Sequence, residues 1–188
     1  MRSVDKALVV LDTECFGLKR HHAACEIAYW ALDTGERGRF VPPFDEVDIR
    51  GADPHALAVN RFYERGLDKD PQDVDGSQLR KLHGLLTDSV IVGSNPGFDA
   101  GKVNYALLRQ FPQELGLITR YELFDLRYFA ANVLGLTGNL PGLLGLCELL
   151  GIEPGKHTAE SDVTAAGECF YALRQRGQVL APRSRPAR

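Results

Sequence analysis

The order of the apolar segments is the feature that most constrains the fold of this chain. Three short apolar segments follow one another closely and predict three strands, at residues 7–12, 25–32 and 37–41. Two more, at residues 90–92 and 122–124, alternate with segments of helical period. Strands joined by short turns pair antiparallel, whereas strands separated by helices pair in parallel. The sequence therefore predicts an α/β fold whose mixed sheet carries helices on its faces.

The helix signals are a capping residue before the helix, a glycine after it, and spaced leucines along it. Asp53-Pro54 starts one helix, which we expect to carry Leu57, Val59 and Phe62. The other predicted helices cover residues 77–86, 98–111, 125–134 with Asp125 as the cap, 140–150 and 160–176.

Size and composition fit a single globular domain. The chain has 188 residues, of which 44% are hydrophobic and 25% charged, which is ordinary for one domain with a full core. No apolar run approaches the roughly 18 residues that span a bilayer, and residues 7–11 are too short for a signal-peptide core. The four cysteines form no C-x-x-C pair, so we expect free thiols. We therefore predict a cytoplasmic protein without a membrane partner.

The charge is unevenly distributed along the chain. Residues 174–188 contain five arginines and no acid, so the net charge of −3 leaves −8 for residues 1–173. An acidic body argues against a broad basic surface for nucleic acid, but clustered carboxylates that bind cations contribute to such a balance. We expect one folded domain over residues 1–176 and a flexible basic tail over residues 177–188, either solvated or in contact with phosphates.

Three separated segments carry acidic residues and one histidine. Asp12 and Glu14 lie two apart at the end of the first strand, so their side chains share one face of the sheet. Asp99 lies in the first turn of the helix after the fourth strand, where the helix dipole also favours a carboxylate. His157 lies in a loop, and Asp162 follows it in the first turns of the last helix. Carboxylates crowded at the end of a buried strand are costly unless cations neutralise them.

The order of these motifs is D-x-E, then N-x-x-F-D, then H-x-A-x-x-D. It closely resembles that of the DEDDh exonucleases, which belong to the DnaQ-like group of the ribonuclease H-like superfamily. The resemblance covers about residues 6–173, and Gly17-Leu18, Glu26-Ile27-Ala28 and Asp125-Leu126 also match the family pattern. His157, in place of a tyrosine, separates the chain from the DEDDy group. The resemblance implies a three-layer fold with a mixed five-stranded sheet, an antiparallel meander plus two parallel strands, and helices on both faces.

The resemblance also implies the chemistry. It implies two divalent cations, Mg²⁺ or Mn²⁺, because all of the ligands are carboxylates. By resemblance, Asp12 bridges both cations, and Glu14 and Asp162 complete the site of the attacking water. Asp99 supports the second cation, and His157 accepts the proton of the water. The implied reaction is 3′→5′ hydrolysis of phosphodiester bonds in single-stranded nucleic acid, which releases nucleoside 5′-monophosphates.

In relatives, the loop after the first motif and the helix after the meander hold the terminal nucleotide. The residues at those places, together with Asn95, are the predicted substrate-binding residues: Thr13, Cys15, Phe16, Asn60 and Asn95. Cys15 and Phe16 replace the small hydroxyl residues that are usual after D-T-E. For Phe62 and Phe98 we expect core packing rather than stacking on a base, and Asn95 can equally well tie down its own loop.

Several alternatives stay open at this stage. The substrate can be DNA or RNA, and the protein partner can be a DNA polymerase subunit or a second copy of the chain that lends a basic surface. An endonuclease of the ribonuclease H type shares the fold and the acids but does not need His157. Lys102 can reach a phosphate or face water. We expect Asp125 to cap a helix rather than act as a fifth acid, and His21 and His22 to lie in a solvated hairpin.

Overall fold

A computed structural model of the chain describes residues 6–118 and 122–180. Within these residues the strands are β1 (Leu8–Cys15), β2 (Ala24–Ala31), β3 (Arg37–Phe40), β4 (Val90–Gly93) and β5 (Glu122–Asp125). They form one sheet in the order β3-β2-β1-β4-β5, with β1 at its centre. β2 pairs antiparallel with β1 and β3, whereas β4 pairs in parallel with β1 and β5. The predicted mixed five-stranded sheet is therefore confirmed.

The helices connect the strands and cover the sheet. In the described part of the chain they are α1 (Glu46–Arg50), α2 (Pro54–Val59), α3 (Ser77–Leu86), α4 (Pro96–Gln110), α5 (Leu126–Leu134), α6 (Leu143–Leu150) and α7 (Ala159–Leu180). The predicted bounds of α3 are confirmed, as is the cap of α5, where the Asp125 side chain accepts a hydrogen bond from the amide of Arg127. Gly151 ends α6 in a left-handed conformation (φ 70°), which glycine adopts without strain.

Several boundaries differ from the predicted ones. β1 continues past Asp12 to Cys15, and α6 begins after Gly142 rather than at residue 140. α7 extends to Leu180, beyond the predicted helix end at 176, while residues 181–188 of the predicted tail lie outside the described residues. α1 was not predicted because none of its five residues is buried, so it carries no hydrophobic period. Its capping box on Asp45 is what stabilises it.

Alternation along β1 divides the core into two layers. Val9 and Leu11 pack with α3 and α4 on one face of the sheet. Val10 packs with α5, α6 and α7 on the other face. Helices therefore cover both faces, as predicted, and even-numbered residues of β1 face α7. No helix in the described ranges has the length and apolar character needed to cross a membrane.

Candidate active site

The end of β1 carries two acidic side chains on the face of the sheet that packs against α7. Alternation places Asp12 and Glu14 on the same face as Val10, which lies in the core beneath α7. Asp162 approaches this face from the first turn of α7. One carboxylate oxygen from each of Asp12, Glu14 and Asp162 lies within 4.8 Å of the other two. The structure thus brings together three of the four carboxylates that the sequence predicted as metal ligands.

Asp99, the fourth predicted ligand, approaches β1 from the other helix layer. It lies in the first turn of α4 and is buried. Its Oδ1 atom accepts hydrogen bonds from the amide of Thr13 (3.0 Å) and from the Thr13 hydroxyl (2.8 Å). Asp99 is therefore fixed to the residue between Asp12 and Glu14, although it does not share the close cluster of the other three carboxylates.

The crowding of carboxylates changes their protonation equilibria. Burial raises the pKa of Asp12 well above its ordinary value, and the neighbouring carboxylates raise it further. Burial also raises the pKa of Glu14 to about 7 and that of Asp99 to about 7, in spite of the hydrogen bonds from Thr13. The pKa of Asp162 is raised for the same reason. A cation would relieve this repulsion, and a set of carboxylate oxygens suits a hard divalent ion such as Mg²⁺ or Mn²⁺.

His157 lies in the loop between α6 and α7, beside the cluster. It lies close enough to Asp162 to oppose the rise that burial causes in the pKa of that carboxyl, and its backbone carbonyl accepts a hydrogen bond from Nη1 of Arg65 at 3.3 Å. Its φ of 53° is in the left-handed region, which is uncommon for a residue other than glycine. The side chain is exposed. The structure thus places the predicted general base next to one predicted ligand, with its imidazole open to solvent.

Gly155 determines how closely the same loop approaches Asp162. A Cβ atom at this position would lie 1.7 Å from Oδ1 of Asp162, far inside contact distance. The Ser161 hydroxyl donates to that same oxygen at 3.2 Å, and the Thr158 hydroxyl accepts from the Ser161 amide at the start of α7. The sequence analysis assigned no role to Gly155. The only signal that could have indicated this close approach is a glycine two residues before the H-x-A-x-x-D motif.

Most of the predicted substrate-binding side chains are used inside the protein. Thr13 is buried and bonded to Asp99. The Asn60 amide donates to the Cys15 carbonyl at 2.9 Å and thereby joins the end of α2 to the end of β1. Burial raises the pKa of the Cys15 thiol to about 12, so this thiol is not an anionic ligand. Asn95 is exposed in a left-handed conformation before α4, and its side chain caps no helix amide.

Phe16 lies in the core. Its ring is fully buried and packs edge-on against Phe44 and Phe62 in a cluster under the loops. This arrangement argues against the predicted contact of the Phe16 side chain with a nucleotide. For Phe62 the expected core packing is confirmed, because its ring is also fully buried. Phe98 is partly buried and packs against the core beneath α4.

Two buried charges beside the site received no role, or the wrong one, from the sequence. Glu26 on β2 lies opposite Glu14 and is 1% exposed; the sequence analysis had noted it only as a match to the family pattern. Lys102 on α4 does not face solvent: it is buried and donates to the backbone carbonyls of residues 17, 19 and 22. Helical spacing indicated Lys102, since it follows the buried Asp99 by three residues.

Two other predictions can be compared with the structure. His22 is buried rather than solvated, and its Nδ1 atom has no hydrogen-bond partner among the described residues. The hairpin that carries it is therefore less exposed to solvent than expected.

All four cysteines are free, as predicted, and all four are buried. Cys147 and Cys169 approach each other, with 3.7 Å between their sulfur atoms.

Comparisons with known proteins agree with this geometry. A family model described as an exonuclease (RNase T) matches residues 9–170. A comparison with curated protein sequences gave no match. Among solved structures, E. coli exonuclease I in complex with a dT13 oligonucleotide has 22% sequence identity and a TM-score of 0.70, over 94% of this chain and 42% of that one.

Two further solved structures show the same degree of similarity. The zinc-bound complex of E. coli exonuclease I with single-stranded DNA has 21% identity and a TM-score of 0.69, over 92% of this chain and 41% of that one. A moderately thermophilic exonuclease I from Methylocaldum szegediense has 19% identity and a TM-score of 0.67, over the same shares. This chain thus spans about two fifths of the length of these proteins, and at such identities the similarity demonstrates a common fold.

Proposed function

Because this chain belongs to the RNase T family of exonucleases, we propose that it is a metal-dependent 3′→5′ exonuclease of the DEDDh type. The proposed substrate is the 3′ end of single-stranded DNA, and the proposed products are nucleoside 5′-monophosphates. The observation that carries the proposal is the convergence of Asp12, Glu14 and Asp162 within 4.8 Å, next to the loop of His157. The choice of DNA rests on structural neighbours that were solved with single-stranded DNA.

We assign the proposed cation ligands from the carboxylates around the end of β1. Asp12, Glu14 and Asp162 would hold divalent cations jointly, and Asp99 would support a second cation from its place beside Thr13. Two bound cations supply positive charge to the attacking and leaving oxygens of a phosphodiester. Hard cations such as Mg²⁺ or Mn²⁺ suit this all-oxygen set.

His157 is the proposed general base. Its imidazole is exposed next to Asp162, so it can accept a proton from a water molecule that attacks the terminal phosphodiester. Positioned proton transfer contributes typically about 10²–10⁴-fold to a rate. His157→Ala should therefore lower kcat by roughly 10²-fold or more while leaving metal binding largely intact.

We propose that the chain forms one exonuclease domain. The family match and the whole sheet lie within residues 1–176, and only the end of α7 continues beyond them, to Leu180; we propose residues 1–176 as the exonuclease domain. A DNA polymerase subunit and a second copy of the chain stay predicted partners. The cytoplasmic location also stays a prediction.

The test is an assay of linear substrates that carry a label at the 3′ or the 5′ end, beside an internally labelled circular substrate. Purified protein is incubated with single-stranded DNA or RNA in Mg²⁺, Mn²⁺ or EDTA. We expect metal-dependent release of mononucleotides from the 3′ end of linear DNA. Asp162→Asn should reduce this release by about 10²-fold or more, since it removes a charge that binds the cations. The matched control is Glu160→Gln, an exposed acid in the same helical turn, which should keep full activity.

Other outcomes would change the proposal in defined ways. Faster release from RNA than from DNA would replace the substrate and keep the mechanism. Cutting of circular DNA would indicate an endonuclease. No release from any linear substrate, even with metal, would contradict the proposal for the isolated chain and favour a role that depends on a polymerase subunit.

A further inference from the structure

Glu26 is a buried carboxylate that accepts hydrogen bonds from three separate parts of the chain. Its Oε1 atom accepts from Nη2 of Arg65 (2.6 Å) and from Nε of Arg39 on β3 (2.7 Å). Its Oε2 atom accepts from the backbone amide of Ala159, the first residue of α7, at 2.9 Å. A carboxylate with 1% exposure is costly unless it is paired, and three donors meet that need.

Arg65 continues these contacts to the loop of the proposed base. The guanidinium binds Glu26 through Nη2, and its Nη1 atom donates to the carbonyls of Asn60 (3.2 Å) and His157 (3.3 Å). The planar guanidinium has donors in a rigid arrangement, so one side chain can fix several acceptors in one geometry. Arg65 is itself largely buried, with 16% of its side chain exposed. It therefore links the interior of the sheet to the backbone of His157.

The His157 ring depends on this backbone for its position. Among the described residues, no side chain forms a hydrogen bond with the imidazole. The backbone just after it is held instead: Arg65 binds the carbonyl of His157, and Glu26 binds the amide of Ala159 two residues later. His157 itself, immediately before these two anchors, has a left-handed φ of 53°, which is uncommon without support. Without these two anchors, the loop would be free to leave that conformation.

We propose that Arg65, held by Glu26, is a positioning residue that fixes the backbone of His157 and so directs its imidazole toward the reacting water. This inference rests on the proposed function and adds to it a residue that acts on the base rather than on the substrate. Reactions that need precise geometry lose rate steeply when a group moves, by up to about 10²-fold for a displacement of 1 Å. Loss of Arg65 should therefore lower kcat more than it changes KM or metal affinity.

Arg39 provides a matched control, because it binds the same Glu26 oxygen from the other side. Its remaining contact is with Asp70, at 2.8 Å between Nη2 and Oδ2, and it does not reach the His157 loop. If Arg65 served only to stabilise the fold around Glu26, Arg39→Gln and Arg65→Gln should have similar consequences. If Arg65 acts through His157, only Arg65→Gln should lower kcat.

The experiment is a double-mutant cycle with single-stranded DNA and Mg²⁺. It measures kcat, KM and the Mg²⁺ dissociation constant for the wild type, Arg65→Gln, His157→Ala, the double variant and Arg39→Gln. We expect Arg65→Gln to lower kcat about tenfold in the wild-type background and less than about twofold in the His157→Ala background. Mg²⁺ affinity should stay within about twofold throughout. Arg65→Lys, which keeps the charge, is the second variant if Arg65→Gln does not fold, and it should show the same pattern with a smaller loss.

Each outcome decides between the two proposals. An Arg65 loss that persists undiminished in the His157→Ala background would overturn the inference, and so would an equal loss of kcat in Arg39→Gln. An active wild type, an impaired His157→Ala and an unaffected Arg65→Gln would overturn this inference alone and leave the proposed function in place. A wild type that releases no nucleotide would remove both proposals together.

Discussion

Two loops flank the carboxylates of the candidate site. A buried positive charge holds one of them, and a buried negative charge holds the other. The hairpin loop, residues 17–22, follows β1 and is held by Lys102, whose ammonium donates to three of its carbonyls at 2.8–3.2 Å. The histidine loop, residues 153–158, precedes α7 and is held by Glu26 together with Arg65. Both anchors bind backbone atoms of their loop and not its exposed side chains.

The two anchors differ in how their charges are compensated. Burial alone would raise the pKa of Glu26, but the hydrogen bonds from Arg65, Ala159 and Arg39 outweigh it, so the pKa is lowered and the carboxylate stays ionised. Burial lowers the pKa of Lys102, whose hydrogen bonds go to neutral carbonyls; the nearby carboxylate of Asp99 opposes that shift. The histidine loop is therefore tied to a paired charge, whereas the hairpin loop is tied to a charge that the carboxylate site itself helps to balance.

The largest effect that separates the loops should come from their tightly packed glycines. A Cβ at Gly155 would lie 1.7 Å from Oδ1 of Asp162, and a Cβ at Gly17 would lie 1.9 Å from Nδ1 of His22. Gly155→Ala should thus displace a proposed ligand and weaken both kcat and Mg²⁺ affinity about tenfold. Gly17→Ala, which also strains a φ of 156°, should destabilise the fold while the folded protein keeps its Mg²⁺ affinity.

Calorimetric titration with Mg²⁺ and thermal unfolding of both variants check this difference. Gly84→Ala in α3, where an added Cβ meets nothing within 4 Å, is the control and should stabilise the protein by about 0.5–1 kcal/mol. Equal Mg²⁺ affinity in Gly155→Ala and the wild type would show that the histidine loop does not set the position of Asp162.

The fold could be predicted because its signals are local, and the proposed ligands could be predicted because the order of three local motifs resembles that of a known family. A run of alternating residues predicts which face of β1 carries Asp12 and Glu14, and an aspartate before a helical segment predicts the Asp125 cap. The motif H-x-A-x-x-D likewise places a histidine just before a helix that carries an acid. Such patterns involve residues within one or two turns of each other, so one sequence contains them.

The anchors of the loops could not be predicted because they join distant parts of the chain. Arg65 meets His157 across 92 positions, and Lys102 meets Gly17 across 85. Nothing in the sequence around Arg65 distinguishes it from the exposed Arg61 four residues earlier. The burial of the Phe16 ring was equally hard to predict, because its packing against Phe44 and Phe62 depends on tertiary structure.

A smaller effect is expected when the hairpin loop loses its anchor. Lys102→Met would leave three carbonyls without their donor and should lower the free energy of unfolding by about 1–3 kcal/mol. The loop carries Leu18, which is 83% exposed, but none of the clustered carboxylates. KM for single-stranded DNA should therefore rise a few fold, whereas kcat stays within about twofold.

Lys19→Met tests whether this change in KM comes from charge or from loop order. It removes a charge from the same loop, but its exposed side chain leaves the Lys102 contacts intact, since those use its backbone carbonyl. We expect unchanged stability and a smaller rise in KM. A fall in kcat of tenfold or more for Lys102→Met would contradict the separation, because the hairpin loop would then act on the reaction itself.

The smallest effect concerns the carboxylates between the two loops. The pKa values of Glu14 and Asp99 are raised to about 7 by burial, from ordinary values near 4. The folded protein therefore holds more protons than the unfolded chain between about pH 4 and 7, and without metal its stability should fall as the pH rises through this interval. His22, whose pKa burial lowers, contributes in the opposite direction.

The wild type and Glu14→Gln must therefore be compared in EDTA, since the contribution of His22 cancels in their difference. From pH 5 to pH 8, chemical denaturation should show the wild type losing on the order of 1 kcal/mol relative to Glu14→Gln. Saturating Mg²⁺ should remove the wild-type loss, because cations then replace the protons and bind more tightly as the pH rises. A wild type that gains stability relative to Glu14→Gln over this range would mean that Glu14 is already ionised without metal. The carboxylates of the site would then be solvated like the exposed side chains of the two loops, and burial would not raise their pKa values.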